Sequence, residues 1–275
     1  MSAARCRVAC SPRGSSSTVS EERVRPGAED IYDSVKRDAA EEIARPIPAL
    51  AFSGVFAGAT LGFSGLAAAA AASLAPSASS SDLIGALVYP IGFVAAIVGR
   101  AQLFTENTLY PLTMVLDERK HLRATFRLWI VVLCANLLGA LAFATFAVHS
   151  GAVSHDIVTQ LTDLGRRLSA GSWISNVASG VAAGWLLALV AWTIEASDDA
   201  IAQIALIWAL TFVIGAAGLD HCVSTTSEVL AAVVHGQASV GHFLGWLSAV
   251  VLGNVVGGVA IVGLLNYGQV RAGEE

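Results

Sequence analysis

The chain has 275 residues, 55% of them hydrophobic and only 13% charged, with a formal net charge of −5. Soluble domains carry about 25% charged residues, so this composition excludes an ordinary soluble enzyme, and the sign of the net charge excludes a nucleic-acid binder. A polytopic, all-α membrane protein remains. The four cysteines, Cys6, Cys10, Cys134 and Cys222, show no metal-ligand spacing and imply no disulfide framework. Cys134 and Cys222 lie in apolar segments, where a small soft side chain packs well.

Residues 1–45 form a polar tail with Arg5, Arg7, Arg13, Arg23, Arg25, Lys36, Arg37 and Arg45 spread among serines and acids. Its start is Arg- and Ser-rich, a composition shared by transit peptides and disordered termini, and it lacks the apolar core of a secretory signal. From Glu29 to Arg45 the residues Ile31, Val35, Ala39 and Ile43 recur near helical spacing. They predict a short amphipathic helix lying on the membrane surface, stopped by Pro46 and Pro48.

A helix needs about 20 apolar residues to cross the hydrocarbon core. Six segments qualify: 48–74, 83–116, 124–148, 174–194, 200–234 and 240–268, within a transmembrane domain of residues 46–270 followed by a tail of 271–275. The second and fifth are too long and too polar in the middle to be plain helices. They contain Leu103-Phe104-Thr105-Glu106-Asn107-Thr108 and Gly218-Leu219-Asp220-His221-Cys222, and both are predicted to be broken. With the N-terminus in the cytoplasm, thirteen of the 16 Lys and Arg residues fall on the inner side, Arg166 and Arg167 fall outside, and Arg100 falls within the second span. Both termini are then cytoplasmic.

The halves share a plan of plain helix, broken helix, and helix carrying Asn-x-x-Gly. Thr105 precedes Asn136 by 31 positions and His221 precedes Asn254 by 33; the glycines are Gly139 and Gly257. Three spans per half insert the second half upside down, an inverted repeat in which broken helices meet near the midplane and line a substrate path. Irregular backbone survives at that depth only beside protein or water. Gly54, Gly58, Gly62 and Gly65 in the first span, and Gly253, Gly257 and Gly258 in the last, are stripes that allow close helix packing.

The first break offers Thr105, Asn107, Thr108 and the N–H groups of a restarting helix, whose positive dipole end favours an anion. Ser224, Thr225 and Thr226 repeat this after the second. His221 stands in that second break as a side chain that can hydrogen-bond or carry a proton. Taken alone it is also a plain core histidine tying two helices together; the pairing of the two breaks makes it a pore-centre candidate. Tyr89 and Phe93, four apart on one helix face, can form an apolar collar that strips water from a solute, or serve as core aromatics, and Ile214 is a candidate for the opposite collar. His121, His149, His155, His235 and His242 fall at span ends or loops and receive no role.

At these residues the chain resembles the formate/nitrite transporter family of pentameric, aquaporin-like channels, and within it the YfdC-type branch. The resemblance covers about residues 46–270. It rests on Gln102-Leu103-Phe104-Thr105-Glu106-Asn107-Thr108, Gly218-Leu219-Asp220-His221, Asn136-x-x-Gly139 and Gly253-Asn254-Val255-Val256-Gly257-Gly258. It implies six spans as two inverted three-helix repeats, a homopentamer with one pore per protomer, and passage of small monovalent anions such as formate, nitrite, acetate or hydrosulfide. It also implies that Thr105 and His221 face each other between two apolar constrictions, the first at Tyr89 and Phe93 and the second at Ile214.

Three departures accompany the likeness. Gly184, before Trp185-Leu186-Leu187, stands where the family's formate channels carry an asparagine. Leu168 stands on or beside their vestibule lysine, a role open to Arg166 or Arg167. Glu106, beside Thr105, would repel an anion by several kcal/mol if ionised in a low-dielectric pore. It escapes this by pointing away, by holding a proton, or by pairing with Arg100; an ion pair of Arg100 with Glu106 or Glu228 is the arrangement expected.

The mechanism this implies is entry of a weak-acid anion, loss of water at the collar, capture by Thr105 and His221, and passage as the neutral acid with His221 supplying the proton. Neutralisation removes most of the dehydration penalty. The competing readings are a pore for neutral solutes or cations with Glu106 and Asp220 exposed to the lumen, and an intramembrane enzyme using Cys222, His221 and Asp220. Contiguous residues on one stretch seldom converge on a substrate, so the chain is read as a transporter and not an enzyme. The expected location is a bacterial inner membrane, with no cofactor or metal and the lipid bilayer as partner.

Overall fold

Two prolines separate the first two helices: Pro46 caps the start of the second in an extended conformation and Pro48 sits in its first turn, where a missing N–H costs nothing. In the computed structural model of the chain, which describes residues 26–75, 77–109 and 122–273, these are α1 (Ala28–Ala44) and α2 (Ile47–Leu74). The order continues with α3 (Ala78–Val88), α4 (Ile91–Val98), α5 (Leu122–His149), α6 (His155–Leu168), α7 (Trp173–Ile194), α8 (Ala200–Ala217), α9 (Ser224–Val234) and α10 (Val240–Val256). A π-helical segment, Gly257–Gly263, then leads into α11 (Leu264–Gly273). No strand occurs among the described residues.

Among the described residues, six helical stretches are long and apolar enough to cross a bilayer: Ile47–Leu74, Ser80–Val98, Leu122–His149, Trp173–Ile194, Ala200–Ala217 and Val240–Gly273. The second and fifth are the interrupted ones. In the second, helix stops at Val98, residues 99–105 run without helix, and helix restarts at Glu106. In the fifth, α8 stops at Ala217 and α9 begins at Ser224. Residues 110–121, with His121 and the basic loop residues Arg119 and Lys120, lie outside the described residues, as do the tail cysteines Cys6 and Cys10.

Two elements differ from the sequence expectation. The amphipathic α1 buries Tyr32, Val35 and Ala39, but against protein, not lipid: that face joins Ala188, Ala191 and Trp192 of α7, Val262 and Val270 in one apolar cluster. The Tyr32 and Tyr267 rings lie 6.2 Å apart. The connection between the halves holds an unforeseen helix, α6, whose Val158, Leu161 and Thr162 are buried while Arg166 and Arg167 stay exposed. Its period of apolar residues was visible, but a 14-residue helix is too short to register as a span.

The bundle closes through two equivalent helix crossings. α2 packs along α5, and α7 along α10. A methyl group built on Gly58 would collide with the Asn136 backbone, and one on Gly184 with the Asn254 backbone. Gly139 and Gly257 return the same contacts against Val55 and Val181. The glycine stripes are therefore backbone-on-backbone crossings, and Gly184 has no room for the asparagine of the formate channels. Facing outward, Phe52, Phe56, Phe63, Ile130 and Leu138 are exposed, which suits lipid or a neighbouring subunit.

Overpacking a tight crossing costs about 1–3 kcal/mol, whereas Gly268, in a helix with open space around it, gains about 0.5–1 kcal/mol from an alanine. Gly58→Ala and Gly184→Ala are each expected to lower the melting temperature of the detergent-solubilised protein. Gly268→Ala is expected to hold or raise it.

Candidate functional site

The two breaks are built alike. Each long arm ends in a left-handed turn that sends the chain back toward the centre: Arg100 at φ 54 and Gly218 at φ 59. Ala101 N–H donates to Ala96 O and Leu219 N–H to Ile214 O, closing both arms by the same six-to-one bond. Glycine takes this conformation without strain; arginine pays roughly 1–2 kcal/mol. Arg100 is thus a turn residue at a pore mouth, its side chain 77% exposed and paired with Asp38 at 3.8 Å. This corrects the expected ion pair: the salt bridge that Arg100 makes is with Asp38, and not with Glu106 or Glu228.

After the turn, each stretch must satisfy backbone groups far from water. Asn136 on α5 accepts from Phe104 N–H at 3.0 Å and donates to Gln102 O (2.8 Å) and Gly54 O (2.9 Å). Asn254 on α10 accepts from Cys222 N–H at 2.9 Å and donates to Asp220 O (3.2 Å) and Gly180 O (2.8 Å). Ser53 and Ser179 add matching bonds from Gln102 N–H and Asp220 N–H. Matching Asn136 to Asn254, 118 positions on, pairs Phe104 with Cys222 and Arg100 with Gly218. The expected register is therefore shifted: His221 is the counterpart of Leu103, and Thr105 that of Val223. Thr105 and His221 are not symmetry mates; they meet because each is displaced from the other's equivalent position.

They do meet. Thr105 Oγ1 lies 2.9 Å from His221 Nε2, both fully buried. Ser224 N–H donates to His221 Nδ1 at 3.1 Å, which fixes Nδ1 as acceptor. The proton of the neutral ring then sits on Nε2. Nε2–H donates to Thr105, leaving the threonine O–H as an uncommitted donor. Phe93 stacks edge-on against the His221 ring with centroids 5.2 Å apart, and Tyr89 lies 5.7 Å from Phe93. Helices restart beside this contact, at Glu106 and Ser224, so two positive dipole ends converge on it.

A cavity opens on each side. One, of about 420 Å³, is lined by Tyr89, Ile214, Gly218, Arg167 and Leu168 among others. Ile214 thus lines the same cavity as Tyr89, which corrects its assignment to an opposite collar. Arg167 lines the cavity beside Leu168, while Arg166 pairs with Asp163 at 3.2 Å. The other cavity, of about 300 Å³, lies under α1 and is lined by Asp38, Glu41, Glu42, Arg45, Ile97, Arg100, Gln102, Glu106 and Glu195. Glu106 belongs to this mouth. The gathering of Glu42 and Glu195 around Glu106, with Ile97 lining the same cavity, is invisible in the sequence because α1 and the end of α7 are remote along the chain.

The other candidates make their contacts inside the bundle. Asn107 donates to Gln102 and to Leu103 O, Thr108 to Thr105 O, and Thr226 to Cys222 O. Asp220 accepts from Trp246 at 3.3 Å. Glu228 is wholly buried, against Gly65 of α2. No group of three or more His, Cys, Asp or Glu residues suited to a metal occurs among the described residues.

α1 is tethered over its cavity by Ser34 donating to Glu195 at 2.6 Å, by the Asp38–Arg100 pair, and by Arg127 donating to Ile43 O. Burial pushes the Glu42 carboxyl above its ordinary value, with Arg45 pulling it partly back. Burial raises Glu195 likewise, with the Ser34 hydroxyl opposing.

The family model for the formate/nitrite transporter matches residues 29–268. The inner membrane protein YfdC of Escherichia coli (strain K12) is 28% identical over 94% of this chain and 84% of its own length. The probable formate transporter of Methanothermobacter thermautotrophicus is 29% identical over 67% of this chain and 74% of its own. Among solved structures, an FNT family ion channel superposes with a TM-score of 0.79 at 19% identity, covering 87% of this chain and 98% of that one. A pentameric formate channel with formate bound gives 0.67 at 15% identity, covering 86% and 99%.

Two outcomes follow from this geometry. Asn136→Ala and Asn254→Ala each remove three bonds worth about 0.5–1.5 kcal/mol apiece, and each should lower thermal stability by a similar amount, since the bonds correspond. For α1, a carboxyl raised in the folded state stabilises fully below its unfolded value, about 4.3, and loses that contribution as pH climbs through the raised value. Hydrogen exchange across 28–44 should therefore quicken as pH rises from the ordinary carboxylate range toward neutrality, beyond the intrinsic chemical rate, and Glu42→Gln with Glu195→Gln should flatten that change.

Proposed function

Because the chain belongs to the formate/nitrite transporter family, we propose that it conducts small monovalent weak-acid anions, of the formate, nitrite, acetate and hydrosulfide class, through a pore inside each protomer. The observation that carries this reading is the Thr105–His221 contact, dry and buried between two cavities. When that bond opens, Thr105 O–H and His221 Nε2–H become two adjacent donors, a match for the two oxygens of formate or nitrite. The converging helix starts add positive potential at the same point. Tyr89, Ile214 and Phe93 strip water on the way in.

The chain is a membrane protein whose finer placement we read as a bacterial inner membrane with both termini in the cytoplasm, so that α1 and its cavity face inward. Lys and Arg asymmetry supports the orientation, and the likeness to an inner membrane protein of E. coli supports the membrane. A homopentamer is supported by the pentameric state of the formate channel that shares the fold and by the exposed apolar faces of α2 and α5.

A second reading, a pore for neutral solutes or cations, draws on the carboxylates of the α1-side cavity. Reversal potentials separate the two: an anion pathway follows the formate gradient and a cation pathway does not. Loss of one hydrogen bond to a charged ligand costs about 1.5–3 kcal/mol, so Thr105→Val and His221→Phe should each cut formate flux into proteoliposomes roughly ten- to a hundredfold. Wild-type flux in both variants, or faster entry of an uncharged control than of formate, would overturn the anion reading.

A further inference from the structure

Passage of a weak acid through a dry centre calls for a proton, and His221 is badly placed to give one. Its Nδ1 is occupied by the Ser224 N–H, so a second proton there would face a donor. Giving up the Nε2 proton instead would leave an imidazolate. A different group must serve.

Glu228 is that group on the page. It lies one helical turn beyond Ser224 on α9, is fully buried, and neither of its carboxyl oxygens has a hydrogen-bond partner. A buried carboxylate left so would bear its full desolvation cost; the neutral acid bears far less. The space it fills exists because residue 65 of α2 is glycine: a β-carbon there would overlap the Glu228 carboxyl. Two more buried hydroxyls are orphaned: Ser224 Oγ, one turn before Glu228 on α9, and Ser64 Oγ, next to Gly65 on α2. Clustered buried polar atoms without partners mark a place for water or ligand. Tyr89, which lines the 420 Å³ cavity, lies near Ser224, Thr225 and Glu228, which puts this polar seam beside the pore.

We infer that Glu228 is the proton donor to the passing anion on the side away from α1, acting through the Tyr89 and Ser224 hydroxyls. The inference rests on the weak-acid reading above. The Glu228 carboxylic acid gives its proton along the seam to the anion, yielding the neutral acid and a carboxylate. Water in the outer cavity then returns a proton to Glu228, and the acid ionises again on the far side. The groups that face Glu228 permit this. Asp220 and Tyr89 are the titratable neighbours across the seam, and α2 brings only Gly65 and Ser64. From α6 the Gly165 backbone abuts, flanked by Arg166, paired with Asp163, and Arg167, lining the outer cavity. α5 between Arg127 and His149, and α10 beyond His242, carry no Asp, Glu, Lys, Arg or His.

The test uses full-length protein in proteoliposomes with formate as the probe, an entrapped pH dye and a clamped membrane potential. Wild type should acidify the lumen by one proton per formate and be indifferent to the potential. Glu228→Gln keeps the volume but has no acid proton, and should lose about a hundredfold in formate flux, the lower end for a positioned proton donor. Glu228→Asp should restore coupled flux in part, which a purely structural role would not require. As a check needing no variant, dicyclohexylcarbodiimide, which attacks protonated carboxyls in apolar surroundings, should modify Glu228 by mass spectrometry, with excess formate slowing the reaction. Wild-type rate and proton stoichiometry in Glu228→Gln, electrogenic formate entry without acidification, or blockage-free flux with no Glu228 adduct would each overturn the inference while leaving an anion pathway intact. Absence of formate flux in wild type would overturn both.

Discussion

Backbone amides and carbonyls cannot be left bare in a membrane interior, where each costs several kcal/mol. That constraint shapes the two re-entrant stretches and everything built on them. Phe104 and Cys222 would each present an N–H to an apolar core, and Gln102 and Asp220 would each present a carbonyl. One asparagine per half satisfies both of these groups and anchors itself on a helix carbonyl, Gly54 O or Gly180 O. An amide side chain suits the task because it carries both an acceptor and a two-proton donor on one rigid plane. The glycines one turn away, Gly139 and Gly257, let the asparagine-bearing helices approach closely enough for those bonds to form.

The two halves share this frame and differ in what they hang on it. At the position where one half has His221 the other has Leu103, and where one has Thr105 the other has Val223. A strictly symmetric pore would carry two histidines or two threonines, and neither pair offers one neutral ring nitrogen donating to one hydroxyl. Because polar and apolar members alternate between the repeats, a single donor pair is walled by Leu103, Val223 and Phe93, all buried. Symmetry supplies the backbone cradle, and its breaking supplies the chemistry.

Much of this was legible in the sequence, for physical reasons that also explain the rest. Span count and the two breaks follow from hydropathy and from polar residues at membrane depth, which have few explanations other than a pathway. Thr105 and His221 stood out because hydroxyl and imidazole are rare in such surroundings. Their spacings to Asn-x-x-Gly, 31 and 33, are close enough to suggest equivalence, but the bonds from Phe104 N–H and Cys222 N–H fix a strict register in which they differ by two. Arg100 was expected to need a carboxylate inside the membrane; a linear count of apolar residues cannot show that the chain turns at Gly99–Arg100 and delivers the guanidinium to a mouth. The partners of Glu106 were hidden for a related reason. Glu42 and Glu195 reach the same cavity from α1 and from the end of α7, and only the folded packing of α1 on α7 unites them.

The charges at the two ends then bear on what can cross the middle. Arg167 is balanced by Asp82 in one cavity, whereas Asp38, Glu41, Glu42, Glu106 and Glu195 outnumber Arg45 and Arg100 in the other. A bare anion leaving the centre toward α1 would meet rising negative potential in a medium of low dielectric. Between the cavities stand Tyr89, Phe93, Ile214, Thr105 and a neutral His221, which offer dipoles and hydrogen bonds but no countercharge. Dipoles can hold an anion briefly at the helix starts, yet they do not carry it past carboxylates. A neutral acid feels neither the missing countercharge nor the carboxylates. On the proposed reading, therefore, protonation must come before the α1-side mouth, on the side where Glu228 lies, and the acidic cavity beyond acts on the released anion by driving it onward from the protein.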